Sequence, residues 1–215
     1  MSRINVANFR HPDATADSIT VTSDGDTQIN RALGLGGATY GSSGQVLTSA
    51  GSGAVPTWTT PAAGLFESVA AVTDRKATGT SAGSSVQNTW STRVLNHELF
   101  DPDGIVSLSS NQFTLGAGTY YVEWAAPLHD AQYGKTRLYN ATDSVTVLDG
   151  EGLYSPTALD LTVWFRGFAR FTIASSKAFE IQYNVSSDQV SYGLGISTNR
   201  GAYEYYTTVR IFKEA

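Results

Sequence analysis

The chain has 215 residues, only 15% of them charged, and a formal net charge of −5. A chain this long can bury one sizeable core and carry an arm besides. The acidic balance excludes a general nucleic-acid binder, which needs a basic face to neutralise phosphates, and the absence of cysteine excludes thiolate metal sites and a cysteine nucleophile.

Eleven Tyr, nine Phe and four Trp supply the apolar area for a core, each ring covering roughly 150–250 Å². No stretch approaches the roughly 20 consecutive apolar residues of a membrane helix. The first ten residues lack the apolar run of a signal peptide. The expectation is a soluble protein made in the cytoplasm, with no membrane insertion.

In chain order, residues 1–33 read as an arm. Ser18 to Thr22 alternates polar and apolar side chains, Asp24-Gly25 is a turn pair, and Thr27 to Asn30 continues the alternation. That pattern predicts a hairpin, which is marginal alone and needs a surface to pack on. Residues 34–64 are rich in Gly and Ser and form a connector. It reads either as a flexible spacer or as an extended segment ordered by neighbouring chains, with Val46, Leu47 and Trp58 as anchors.

Residues 65–215 carry the strand signals of a head domain. Tyr120, Val122 and Trp124 fall on one face of a strand, and Thr119, Tyr121 and Glu123 on the other. Odd positions from Leu159 to Ile173 are apolar apart from Gly167, so this is one long strand or two strands bent at Gly167. Phe179, Ile181, Tyr183 and Val185 alternate with Glu180, Gln182 and Asn184. Asp101 to Gly104, Leu115 to Gly118, Asp149-Gly150 and Ser186 to Asp188 read as turns. The last strand, about Tyr203 to Phe212, shows Tyr205, Val209 and Ile211 on one face and Tyr206 and Phe212 on the other. A strand apolar on both faces belongs in mid-sheet or between subunits. Roughly eight to ten strands without helical periodicity predict an all-β sandwich or jelly roll.

Candidate chemistry is sparse. Gly79 to Gly83 matches the G-x-S-x-G pattern, but polar residues flank it on both sides where a nucleophile elbow needs a buried strand and a helix. Asp101-Pro-Asp-Gly104 lacks the further ligands of a calcium loop. His97 and His129 read as ordinary surface or strand residues, and Asp130 adds little to His129 because adjacent strand residues point to opposite faces. Asn140 and Asn184 open glycosylation sequons, which matter only on a eukaryotic secretory route. No catalytic residue, metal site or cofactor is expected. Tyr133, Tyr154, Tyr192 and Tyr203 lie in or beside turns, where a tyrosine can stack on a sugar or a protein at little entropic cost. They are the receptor-contact candidates.

The run Gly41 to Thr59, with Gly44-Gln-Val-Leu, Gly51-Ser-Gly and Pro56-Thr-Trp58, resembles the connector of bacteriophage tail fibres and related virion appendages. Ala16 to Asp26 resembles the start of phage appendage proteins. The head resembles a distal domain of phage fibre and virion proteins with the topology of the C1q and tumour-necrosis-factor jelly rolls. The segments that carry this are Trp90 to Asn96, Leu108 to Glu123, Arg137 to Asp143, Phe171 to Gln182 and Tyr206 to Lys213. The chain departs from many such proteins at Tyr183-Asn-Val185, where a basic pair or a cysteine is common.

The resemblance implies a homotrimer whose last strand lies near the threefold axis, with Tyr205, Tyr206, Val209, Ile211 and Phe212 at the interface. It also implies an arm that docks on other virion proteins, and Ile4, Val6, Phe9, Ile19 and Val21 are its apolar candidates. The expected function is a non-enzymatic virion protein, a trimeric tail-fibre-like appendage whose head contacts a host cell-surface glycan or protein. The alternative is a capsid decoration or cement protein with an outward-projecting trimeric knob. A glycan-cleaving head would need two carboxylates about 5–9.5 Å apart, and a cytokine-like ligand would be expected to carry a signal peptide and disulfides.

Overall fold

Alternating apolar and polar side chains organise the chain into paired antiparallel strands in a computed structural model, which describes residues 8–9, 12–13, 15, 19–24, 26–29, 32–35, 39–61, 64–156 and 159–215. The chain divides into two compact units, Met1–Ala62 and Ala63–Ala215. No helix among the described residues is long and apolar enough to cross a membrane.

In the first unit, β1 (Asn8–Phe9), β2 (Ile19–Val21) and β3 (Thr27–Ile29) form a three-stranded sheet in that order. The predicted hairpin is β2–β3, with Ile19 opposite Ile29. Thr22 closes its turn: its N–H donates to the Asp26 carbonyl at 2.8 Å and its Oγ1 accepts from the Asp26 N–H at 3.0 Å. The connector is neither a plain spacer nor a single extended run. Its β4 (Val46–Thr48) and β5 (Thr57–Thr59) pair as a hairpin with Leu47 opposite Trp58. Gly41 has φ +71°, and a Cβ there would come within 2.8 Å of the Trp58 ring, so only glycine fits under the indole.

The second unit holds β6 (Phe66–Ala77), β7 (Ser91–Thr92), β8 (His97–Phe100), β9 (Val106–Ser109), β10 (Gln112–Leu115) and β11 (Gly118–His129). They are followed by β12 (Gln132–Asn140), β13 (Val145–Ser155), β14 (Thr162–Ile173), β15 (Lys177–Val185) and β16 (Tyr203–Glu214). Sheet I has the order β14-β11-β16-β6-β8. Sheet II has the order β13-β12-β15-β10-β9, with β7 also paired to β15. Consecutive strands from β10 onward cross between the sheets except at the β12–β13 hairpin. This interleaving makes the sandwich a jelly roll, the expected all-β fold.

The inward faces follow the alternation. Tyr120, Val122 and Trp124 of β11 meet Phe179 and Ile181 of β15, Phe113 and Leu115 of β10, and Val209 and Ile211 of β16 in one core cluster. A second cluster joins Leu128, Phe165, Tyr183, Val185 and Tyr206. Fully burying one such side chain is worth about 1.5–3 kcal/mol. Arg93 is wholly buried as well, and its Nε donates to Thr207 Oγ1 at 2.7 Å and its Nη2 to the Leu194 carbonyl at 2.8 Å. Burial pushes its guanidinium down to about 10 against the pull of Asp74.

Several local readings change in three dimensions. β14 is a single strand paired with β11 without a register break from Thr162 to Ile173, so Gly167 is not a bend. Leu159 and Leu161 precede it, exposed, in a turn. Asp149-Gly150 is not a turn but lies inside β13, and the β12–β13 hairpin turns at Ala141 to Ser144. Asp101 does make its turn: its Oδ1 and Oδ2 accept the Ile105 and Val106 N–H groups at 2.9 Å each, which uses its carboxylate locally.

The largest change is in β16. Its register against β6 shifts between Tyr205 and Thr208, a bulge that reverses the phase of the strand. Glu204 and Tyr206 point inward before the bulge, and Thr207, Val209 and Ile211 after it. Tyr205 therefore lies on the opposite face from Val209 and Ile211, not with them.

Candidate functional site

Strands β14, β11, β16 and β6 place their outward residues side by side on sheet I. Phe66 stacks near Phe212 at 5.0 Å between ring centroids, Phe212 near Tyr121 at 6.1 Å, and Tyr121 near Phe168 at 6.2 Å. This row of rings crosses all four strands. Phe168 is 61% exposed, and Trp164, Phe100, Tyr203 and Tyr205 extend the exposed apolar surface along the same sheet. Arg166, Glu123 and Arg210 stand among these rings, with Arg210 3.8 Å from Glu123, so the face mixes an aromatic row with charged groups.

Of the interface candidates on the last strand, Tyr205 and Phe212 lie on this outer face. Tyr206, Val209 and Ile211 do not. Val209 and Ile211 have no exposed surface, and Tyr206 is buried with its hydroxyl donating to the Thr80 carbonyl at 2.8 Å. They belong to the core of one protomer and cannot be reached by another. Sequence reasoning missed Phe66, Tyr121, Trp164 and Phe168, although the polar-phase positions of Tyr121, Trp164 and Phe168 were a usable signal. Phe66 shares the parity of the inward Ala70 and Val72 and faces outward only through the register shift at Glu214.

The outer face of sheet II is built differently. Tyr133 of β12 stands opposite Tyr154 of β13, with ring centroids 5.0 Å apart. They border a groove with Trp90, Lys135, Asn88 and Asn184. Beside the groove, the Arg137 guanidinium lies over the Trp90 ring at 4.0 Å and the Tyr139 ring at 4.7 Å. Its Nε donates to Gln182 Oε1 and its Nη1 to Thr146 Oγ1, both at 2.8 Å. The cation is thus pre-positioned with its hydrogen bonds made. Rings edged by amides and a lysine can stack on and hydrogen-bond a sugar or a peptide.

The four candidate tyrosines do not form one site. Tyr133 and Tyr154 share the groove. Tyr203 carries the Arg75 guanidinium over its ring at 4.4 Å, on sheet I. Tyr192 is half-buried, its ring edge-on to His129 at 5.0 Å. In the first unit, Ile19 is half-buried and Val21 exposed. Ile4 and Val6 lie outside the described residues, and of Phe9 only the backbone, in β1, is described.

His129 departs from the sequence expectation. Its side chain is only 2% exposed, with Nδ1 2.8 Å from Thr162 Oγ1 and Nε2 3.0 Å from Asp160 Oδ1 and 3.4 Å from Asp130 Oδ2. Adjacent strand residues should diverge, but β11 ends at His129. Asp130 takes φ +50°, which turns its carboxylate back toward the ring. This cluster lies at the end of the sandwich opposite Leu65, with the loop residues 130–131, 159–161 and 186–202. His97 is half-buried at the start of β8. Gly79 to Gly83 is a loop, where the Gly79 N–H donates to Glu204 and Ser81 Oγ accepts from the Ser197 N–H at 3.1 Å.

No protein-family model and no curated protein matches the chain. Among solved structures, it is similar to the globular domain of zebrafish complement 1qA protein at 15% identity, with a TM-score of 0.45, over 68% of this chain and 96% of that one. It is also similar to murine APRIL at pH 5.0, at 10% identity and a TM-score of 0.44, over 68% of this chain and 98% of that one.

Proposed function

We propose that the chain is a non-enzymatic appendage protein of a bacteriophage particle. Its N-terminal unit attaches to the particle, three heads associate through the outer face of sheet I, and the sheet II groove meets the host surface. The observation that carries this reading is the ring row Phe66–Phe212–Tyr121–Phe168, exposed at its two ends and half-buried at Phe212 and Tyr121, across four strands of one sheet. A row of aromatic rings across four strands suits a permanent interface, and the groove of the opposite sheet pairs two tyrosines with amides and a lysine, as a ligand-contacting surface does. The trimeric state and the phage setting rest on the resemblance of the connector and head segments, and the Leu47–Trp58 hairpin adds that the connector is a shaped element. The head is read as a binder because its outward chemistry is aromatic and amide-rich.

A capsid decoration protein is the second reading. It is favoured by the β4–β5 hairpin, which stands where a fibre would carry a repeating shaft. Gold-labelled antibody against the head, imaged on purified particles, tests both. Label at the tail supports the fibre, label over the capsid supports decoration, and unlabelled particles overturn the virion assignment. Sedimentation of the full chain tests the trimer separately, and a monomer at micromolar concentration would remove the role given to sheet I.

A further inference from the structure

We propose that His129, Asp130 and Asp160 form a binding site for a divalent first-row transition metal ion, Zn²⁺ being the best fit, at the end of the head opposite Leu65. The three side chains offer one nitrogen and two carboxylate oxygens, all within 4.8 Å of one another. The Nε2–oxygen separations of 3.0 and 3.4 Å match adjacent ligands around one ion. Bonds of about 2.1 Å put neighbouring ligand atoms about 3.0 Å apart at right angles and about 3.4 Å apart in a tetrahedron.

Charge points the same way. Among the described residues, Asp130 and Asp160 make no ion pair with a lysine or arginine, and only His129 lies against both. One imidazole N–H cannot serve two carboxylates fully, and even an imidazolium leaves a net negative charge. A divalent ion between the three groups, with the ring neutral, brings the sum to zero.

The surroundings hold the ligands in place. Thr162 Oγ1 lies 2.8 Å from Nδ1 and so fixes the ring, the usual support of a metal-bound imidazole. The Leu161 N–H donates to Asp130 Oδ1 at 3.3 Å, leaving Oδ2 toward the ring. Tyr192 packs edge-on against the imidazole. The Asp160 side chain is 80% exposed, so an ion can enter from solvent and keep water in its remaining positions. A nitrogen ligand and a small ligand count disfavour Ca²⁺ and Mg²⁺, which prefer larger sets of oxygens. A bound ion would tie the β11–β12 connection to the β13–β14 loop.

The test uses the full chain, freed of metal by chelator and dialysis. Isothermal titration with Zn²⁺ should show one site per chain and a raised melting temperature, and Ca²⁺ or Mg²⁺ at equal concentration should give neither. Co²⁺ should add a visible absorption band characteristic of nitrogen and oxygen ligands. Asp160→Asn, an exposed change that leaves the fold intact, should weaken Zn²⁺ binding at least tenfold and abolish the thermal shift. His97→Gln should change nothing. Absence of Zn²⁺ binding, or equal binding by Asp160→Asn, would overturn the site. An equal response to Ca²⁺ would overturn the choice of ion.

Discussion

Trp124 of β11 packs against Gly167, its register partner on β14, so closely that a Cβ at position 167 would sit 2.0 Å from the ring. The indole Nε1–H donates to Thr136 Oγ1 of β12 at 2.9 Å, which fixes the ring across the sandwich. The glycine therefore admits the largest inward side chain of sheet I. Gly167→Ala should cost about 3 kcal/mol or more, at the upper end of overpacking penalties. Urea denaturation measures this, and a loss below about 1 kcal/mol would show that the ring can move aside.

The bulge in β16 separates two outcomes that the linear sequence merges. Phe168→Glu and Phe212→Glu change the outer face of sheet I and should weaken self-association by at least about 30-fold, the effect of losing a hot spot worth 2 kcal/mol. Circular dichroism of both variants should remain that of the folded head. Val209→Asp buries an unpaired charge inside the sandwich and should unfold the protomer itself. A folded monomer from Val209→Asp would contradict its place in the core.

Glu204 sets a pH dependence. Burial raises its carboxyl pKa, but the Thr198 N–H and O–H and the Gly79 and Asn199 N–H groups outweigh burial, and the net direction is below the ordinary 4.5. The folded state thus prefers the ionised form. The stabilisation is present in full above the unfolded pKa of 4.5 and is lost as pH falls through the lower folded value. Thermal melts across the acid range should show Glu204→Gln less stable than wild type at pH 7, with the difference shrinking toward pH 3. A constant difference would mean that another group carries the effect.

The Tyr133–Tyr154 pair tests the sheet II groove. Tyr133→Ala and Tyr154→Ala should each lower adsorption of purified heads to host cells, while changing stability by less than about 1 kcal/mol, as surface positions do. Tyr203→Ala, on the other sheet, should leave adsorption unchanged if trimerisation is intact. Equal loss from all three variants would point away from the groove.

Strict alternation told which residues face inward on β11, β14 and β15, because side chains on an unbroken strand swap faces at every step. The all-β class and the hairpin of the arm were legible for the same reason. Pairing across the sheets was not. The phase reversal at Tyr206-Thr207 arises from register against β6, a partner more than a hundred residues away in sequence, and it moved Val209 and Ile211 from a supposed interface into the core. Asp149-Gly150 has the composition of a turn, yet it continues β13 paired with β12, and glycine stands there because a Cβ would meet the Arg166 carbonyl at 2.7 Å and Thr136 Oγ1 at 2.8 Å. The His129 cluster needed two left-handed aspartates, Asp130 and Asp160, and the meeting of two loops. Local periodicity determines which side chains can be buried. Register, bulges and loop convergence are long-range, and only the closed sandwich decides which outward rings form a face and which carboxylates share a histidine.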